Sequence, residues 1–503
     1  MKKIKYIILA VLPLLMVGCS SSFLDTDINE NASSDQISKE IARDPNKLKG
    51  FLSGNYKNVF APEAQASHDD FGLKALQLAM DLMTDDIAYK TSGFFVFDYD
   101  LDNRGSKYRR SNSTWQQFYA IINGANEIIK KVGMIDDIPA NTDEEIANKN
   151  VLVNMVAQSY VLRAYAYFWL INMYQQPYEW NKDKPGIPIY TETEIILSRA
   201  PVKDVYTQII ADIDYGYKLL EGKTASSPDK SQINEYSAAA IYAKVLEFVN
   251  DYPNQKTEIV KYAKLAIAGG ALMTSKDDLL SGFNSLDLSE VLWGSAIDKE
   301  SNTFYASFMS HIDPYSPGYG GNLGNYKMVA SELLSEIPDA DVRKDWFGIS
   351  LPEDNPHYPY RKYIQKKFVD VGSLGKGEVF ASDYIYLRVA EMYFIAAEAL
   401  YNDGKQEEAR TMLEQVVKTR NPQYSTQGKD LLDEIKTQKR IEMWGEGTRL
   451  LDMKRRGEGL NRTKSTNHNV STKMEVPAND KLFIYRLPDK EVNANDELGE
   501  LND

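Results

Sequence analysis

Apolar residues recur along most of this chain at three- and four-residue steps, the spacing that places them on one face of an α-helix. Between positions 160 and 174 the series is Tyr160, Ala164, Tyr167, Phe168, Ile171 and Tyr174. Between 387 and 400 it is Leu387, Ala390, Phe394, Ala397 and Leu400. Asn402-Asp403-Gly404 supplies a stop, and a partner helix resumes over 407–419 with Ala409, Leu413 and Val416 inward. Further pairs are predicted at 153–173 with 205–220, and at 236–248 with 258–268, the last closed by Gly269-Gly270 as a C-cap. Alanines on these faces let a neighbouring helix approach closely. Helix pairs repeating at about 34 residues predict a tetratricopeptide-like stack, although the repeats are not uniform. The fold class is mainly α, with pairs around 115–270 and 384–456.

Two excursions break the pattern, at 84–112 and 275–377. Both are rich in Gly, Pro and Asn, yet also in aromatics. Loops of that length are usually functional or disordered, and the aromatics argue for order. Short β segments are expected at 291–297 and 483–487, so the second lobe reads as irregular and loop-rich.

The first residues need separate treatment. Lys2, Lys3 and Lys5 precede a nearly unbroken apolar run from 6 to 17, little more than half the roughly 20 residues of a spanning helix. A basic start followed by a short apolar run reads as an export signal, here 1–18. The run ends at Met16-Val17-Gly18-Cys19, and Cys19 is the only cysteine. These residues resemble the lipobox of bacterial lipoproteins, with Met16 in place of the usual Leu. The resemblance implies that the Cys19 thiol is acylated and becomes residue one of the mature chain. Two or more acyl chains hold a protein stably to a membrane where one does not. With Cys19 so used, no thiol remains for a disulfide or a nucleophile. A polar tether is expected over 19–44, beginning Ser20-Ser21-Ser22, and a single domain over 45–503.

Hydrophobic content of 43% and charged content of 26% are ordinary for globular proteins. The formal charge of -14 becomes more negative once the leader's lysines are removed. An acidic surface argues against nucleic acid as partner, because phosphate binding needs clustered Lys and Arg.

Several motifs carry a family likeness across almost the whole mature chain. Trp115 with Phe118, Tyr119, Ile122 and Asn126 is followed by Arg163-Ala164-Tyr165-Ala166-Tyr167-Phe168. Next come Gly186-Ile187-Pro188-Ile189, Arg199 and Val205-Tyr206 with Ile209, Ile210 and Asp212. Leu387-Arg388-Val389-Ala390-Glu391 leads to Ala397-Glu398-Ala399. Arg440-Ile441-Glu442-Met443-Trp444-Gly445-Glu446-Gly447 is followed by Arg449, Asp452 and Arg455, and Leu487-Pro488 by Glu491, Val492 and Asn495. Together these resemble the SusD/RagB family of outer-membrane nutrient-binding lipoproteins. Gln175-Gln176 stands where that family commonly has Gly. The resemblance implies a right-handed tetratricopeptide-like superhelix with a less regular ligand-binding lobe, anchored in the outer membrane and facing outward. It also implies a SusC-like TonB-dependent transporter as partner, a glycan as ligand with an oligopeptide as the alternative, and no cofactor.

Catalytic readings find little support. Glu442 and Glu446 are paired carboxylates four apart, and a surface hydrolase would use such a pair. Arg440, Arg449, Asp452, Arg455 and Arg456 crowd the same segment, so pairs such as Glu446/Arg449, Arg449/Asp452 and Asp452/Arg456 are expected along a helix. Nearby cations lower carboxylate pKa values, the opposite of what a general acid needs. The four histidines, His68, His311, His357 and His468, are scattered, with no pair at metal-ligand spacing. Asp98, Asp100 and Asp102 look like the start of a calcium loop, but Asn103 and Arg109 replace the Gly and the acid such a loop requires. Binding remains. Sugar rings have apolar C–H faces and hydroxyl edges, which suit rigid aromatic rings with polar tips beside short polar groups. From the two excursions the candidate ligand residues are Tyr89, Phe95, Tyr315, Tyr319, Tyr326 and Asn322.

Overall fold

The computed structural model describes residues 34–499 and 502, apart from 62–66, 106–107, 192–197 and 302–303. The leader at 1–18 and Cys19 lie outside the described residues. Among those described, no helix is long and apolar enough to cross a membrane.

The helices form one continuous series in which each packs on the next. The order is Asn46–Phe60, Arg109–Val132, Asp143–Tyr174, Val202–Leu220, Glu235–Leu246, Gln255–Ile267, Val389–Asn402 and Gln406–Arg420. Leu431–Glu442 closes the series against the last two. This is the stack of helix pairs that the periodicity predicts, a tetratricopeptide-like superhelix. Asp143–Tyr174 starts where Thr142 accepts from the Glu145 amide and three acids fill the first turn. Its second half is buried on every side, from Val161 to Tyr174, because it is held between two neighbours rather than against one. Glu235–Leu246 begins at a capping box between Asn234 and Ser237 and buries Ala238, Ala239, Ala240 and Ala243 at its contacts.

Gln255–Ile267 and Val389–Asn402 are neighbours in space although about 120 residues separate them in sequence. The irregular lobe is therefore an insertion between two consecutive helices of the stack. It is fastened by small antiparallel ladders. Val291–Ser295 pairs with Tyr384–Arg388, and Ile87–Ala88 pairs with Met328–Val329, which joins the two excursions directly.

Some expectations change. Leu387 and Arg388 belong to a strand, and the helix begins at Val389. Segment 483–487 is no strand: a 3-10 turn at Lys481–Phe483 gives way to irregular chain. Gly269 is not a left-handed cap; a Cβ there would lie 2.3 Å from Tyr236 Cβ, so the glycine serves a close helix contact. The expected tether does not reach residue 44, because Ser34–Arg43 is a helix docked on the stack, with Ser38 Oγ donating to the Lys131 carbonyl at 2.9 Å.

The charged C-terminal motif is a buried ion cluster, but the pairs of Glu442, Glu446 and Arg449 are tertiary. The helix ends at Glu442, and Gly445 and Gly447 take φ of 79° and 77°, so Glu442 and Glu446 do not share a helix. Glu442 meets Arg420 at 2.8 Å, Arg388 at 3.2 Å and Arg343 at 3.4 Å, all fully enclosed. Glu446 takes Arg388 at 2.6 Å and Lys367 at 2.6 Å. Asp452/Arg456 forms at 3.7 Å as expected. Arg449 instead reaches Asp85 and Glu458, at 3.0 and 2.7 Å.

Candidate functional site

Where the two excursions meet there is a cavity of about 1150 Å³. The first contributes 90–98 with Asp102, Gly105, Tyr108, Arg109 and Arg110, the second Tyr319, Leu323, Asn325, His357 and Tyr360. Gly93 sits at the junction: a Cβ there would lie 2.3 Å from Asn325 Nδ2, so any side chain at this position would displace the Asn325 carboxamide that reaches across from the second loop.

A cluster of rings forms one wall. Phe94 and Tyr319 meet edge to face at 4.9 Å, and Tyr319 stacks on His311 at 4.6 Å. Tyr305 stacks on His68 at 5.7 Å, and His68 Nδ1 is hydrogen-bonded to the Tyr319 hydroxyl. Phe94 and Tyr319 are half-buried and Phe97 is exposed, so ring surface faces the cavity. Opposite, the Lys90 ammonium lies 4.7 Å from the Tyr360 ring centre and donates to the His468 carbonyl. Beneath the rings His311 is enclosed. Burial, with the Lys327 and Arg110 charges, pushes its pKa down to about 3, against the pull of its bond to the His68 carbonyl. The imidazole is neutral and acts as a flat support.

Two of the cavity's three carboxylates, Asp69 and Asp98, are committed to arginines; the third, Asp102, is exposed. Asp69 pairs with Arg109 at 2.7 Å and with Arg110 at 3.0 Å. Burial opposes ionisation there, but Arg110, Ser67 and Arg109 outweigh it and hold the pKa near 2. Asp98 is enclosed, bonded to Arg110 at 3.0 Å and to the Tyr108 hydroxyl; burial raises its pKa against Arg110's attraction. This arrangement offers ring faces bordered by donors and acceptors, a surface suited to polyhydroxylated rings.

The sequence candidates fall in different places. Tyr319 stands in the ring wall. Tyr315 is 52% exposed and Asn322 is exposed, but neither lines the cavity. Phe95 lines the cavity but is only 2% exposed, and Tyr89 and Tyr326 lie in the interior; the ring faces of all three are already covered. Tyr89 donates to the Phe94 carbonyl at 2.8 Å under the Lys327 ammonium; Phe95 lies between Arg110 and His311; Tyr326 packs edge-on to His357. Their place is to hold the loops. Asp98 is spent on Arg110, and among the described residues no group of three His, Cys, Asp or Glu that could hold a metal ion is found, at Asp98, Asp100 and Asp102 or elsewhere. The sequence reading missed His68, Lys90, His357 and Tyr360. His68 and Lys90 gain their partners Tyr319 and Tyr360 only through contacts between segments far apart in the chain.

Comparisons agree with this architecture. The family described as SusD family matches residues 348–502, and a family described as starch-binding associating with outer membrane matches residues 30–246. The chain belongs to the SusD/RagB family. A SusD-like protein P2 from Formosa agariphila is 26% identical over 453 residues, covering 80% of this chain and 78% of that one. A SusD superfamily crystal structure from Bacteroides thetaiotaomicron is similar with a TM-score of 0.76 at 21% identity, covering 91% of this chain and 99% of the other. Surface glycan-binding protein A from the same organism, solved with laminarihexaose, is similar with a TM-score of 0.69 at 16% identity, again over 91% and 99%. At these identities the solved structures speak for the fold alone.

Proposed function

We propose that this SusD-like chain is a cell-surface lipoprotein that holds glycan chains in the cavity between its two excursions. It does not cut them, and it passes them to a SusC-like TonB-dependent transporter of the outer membrane. One observation carries the reading: half-buried ring faces of Phe94 and Tyr319 turned into a large open cavity edged by Lys90, Arg109 and Asn325. The laminarihexaose complex of a protein with the same fold supports a glycan as ligand. The lipobox-like Met16-Val17-Gly18-Cys19, after a leader of 1–18, supports the anchor, and the family's description supports the membrane.

A binding role fits better than hydrolysis. Glycosidases need a carboxyl pair across the sugar with one member kept protonated. Of the cavity's carboxylates, Asp69 is held ionised by two arginines and Asp98 is bonded to Arg110, which leaves only Asp102 uncommitted, while Glu442 and Glu446 are enclosed in the ion cluster. Mature protein beginning after Cys19, run through gels containing single polysaccharides, should be retarded by at least one glycan class. A Phe94→Ala/Tyr319→Ala variant should lose about tenfold in affinity, the effect of removing a central aromatic contact. Retardation that the double variant leaves untouched would refute the site, and capture of oligopeptides instead would reassign the cargo. Co-purification with a large β-barrel from gently solubilised membranes tests the partner; recovery as a solitary monomer would count against it.

A further inference from the structure

A second cleft, of about 600 Å³, shares no lining residue with the first. It runs between the helices Asn46–Phe60 and Asp143–Tyr174 and is closed by the turn at 231–232 and by Ser295 and Ala296 at the end of the strand Val291–Ser295. Its chemistry is unusual for this molecule. Charged residues make up 26% of the chain, but Lys49 alone among the lining residues carries a charge. The rest are carboxamides, hydroxyls and a few apolar groups. A phosphate or carboxylate ligand would find one exposed lysine and no arginine, and a cation would find no carboxylate.

The floor is apolar and the rim is polar. Tyr56 and Phe60, four apart on one helix face and both half-buried, contribute ring surface, with Met155 beside them. The amides are fixed in advance. Gln158, itself buried, accepts from the Tyr56 hydroxyl and donates to Asn154 Oδ1 at 2.5 Å and to Gln232 Oε1 at 3.3 Å. The Tyr56 oxygen in turn accepts from the Ile233 amide at 2.8 Å. With its carbonyl oxygen occupied, Asn154 presents the donors of its Nδ2 at an exposed position. A rigid ring face beside oriented amide donors and serine hydroxyls is complementary to an uncharged sugar ring, whose C–H face is apolar and whose edge is all hydroxyl.

We propose that this cleft is a second saccharide site, taking one or two neutral sugar units, with Tyr56 and Phe60 under the ring and Asn154 and Ser53 at its hydroxyls. The volume lies within the ordinary range for small-ligand pockets. A weak second site on the same chain raises the hold on a long polymer through effective concentration. The probes are maltohexaose, cellohexaose, xylohexaose and laminarihexaose, titrated calorimetrically into the mature protein.

The Phe94→Ala/Tyr319→Ala variant should still bind at least one of the four with millimolar affinity, and adding Ser53→Trp should weaken that binding at least about tenfold by filling the cleft. Ser53 is exposed, so the bulk can be accommodated without disturbing the core. Asn154→Leu, which removes the donors without adding bulk and also the oxygen that Gln158 donates to, should give a similar loss with the melting temperature falling by no more than about 3 °C. No binding of any of the four by the double variant, or binding that survives both Ser53→Trp and Asn154→Leu, overturns the proposal. Ser53→Trp in the otherwise native chain should leave the first cavity's affinity unchanged, so failure of one site is distinguishable from failure of the other.

Discussion

Replacing Glu446 with Gln removes one carboxylate from the buried ion cluster and keeps its shape. Glu446 accepts from Arg388 Nη2 and Nε at 2.6 and 2.9 Å and from Lys367 Nζ at 2.6 Å. Burial alone would raise its pKa; Arg388 and Lys367 overcome that and hold it near 2, against 4.5 for a free glutamate. At about 1.4 kcal/mol per tenfold change in the proton equilibrium, the ionised form is favoured in the fold by roughly 3 kcal/mol. Breaking one partner of a buried ion pair costs about 3–5 kcal/mol by general experience, so the two routes agree at the lower end. The low end is reasonable, since Arg388 keeps Glu290 at 2.6 Å. Lys367 keeps the carbonyls of Glu442 and Trp444, and its own pKa, lowered by burial to about 8, lets it shed its proton. For a folded unit of roughly 470 residues the unfolding entropy is about 1 kcal/mol/K, so the melting temperature should fall by about 3 °C. The pH dependence has a definite sign. A carboxylate with a depressed folded pKa contributes its stability above the unfolded value and loses it as pH falls through the folded one. The gap between native and Glu446→Gln should therefore be full above pH 4.5 and close between pH 4.5 and about 2. Scanning calorimetry across that range is the assay, with Asp214→Asn, which breaks the exposed Lys218 pair, as the surface control. A Glu446→Gln loss no larger than the control's, or a gap that does not narrow on acidification, would refute the reasoning.

Two further outcomes follow from the geometry. The His311 imidazole should remain neutral from pH 8 down to pH 5, because its enclosure and the Lys327 charge hold its pKa near 3; side-chain nitrogen NMR would show a protonated ring at pH 5 if that were mistaken. Gly447→Ala forces a side chain into φ of 77° and brings its Cβ within 2.5 Å of Gln77 Cβ, so thermal melting should report a loss of about 1–3 kcal/mol, and an unchanged melt would contradict the packing.

Regular helices were legible in the sequence because their signal is local. The series Tyr160 to Tyr174 and Ala390 to Leu400 states its period within a few turns, and both helices formed. The candidate site was legible only as two regions, 84–112 and 275–377, which the Ile87–Ala88 and Met328–Val329 ladder brings together. Within them, composition could not tell a ring that supports a loop from one that faces a ligand. Tyr89 and Tyr319 look alike in sequence; one is covered by Lys327 and Tyr99, while the other stands at the cavity. Which it becomes depends on contacts more than two hundred residues away, as with His68 and Tyr319.

The same reasoning explains why the most conspicuous motif of the chain is charged but carries no ligand. Glu290, Asp341, Glu442 and Glu446 face Arg343, Lys367, Arg388 and Arg420 in the interior, four negative charges against four positive. Glu290, Asp341, Arg343 and Lys367 come from the inserted lobe; Glu442, Arg388 and Arg420 come from the stack or its border. Apolar residues of equal volume could match such a cluster in stability. They could not match its selectivity, since a hydrophobic seam tolerates a sliding contact, whereas any shift here leaves an enclosed charge without its partner at a cost of several kcal/mol. The cluster thus admits one docking of the lobe on the helices. Phe94, Tyr319, Lys90 and Tyr360 are presented on that lobe's junction with the first excursion, so the shape of the cavity is set from below by charges that never meet the ligand.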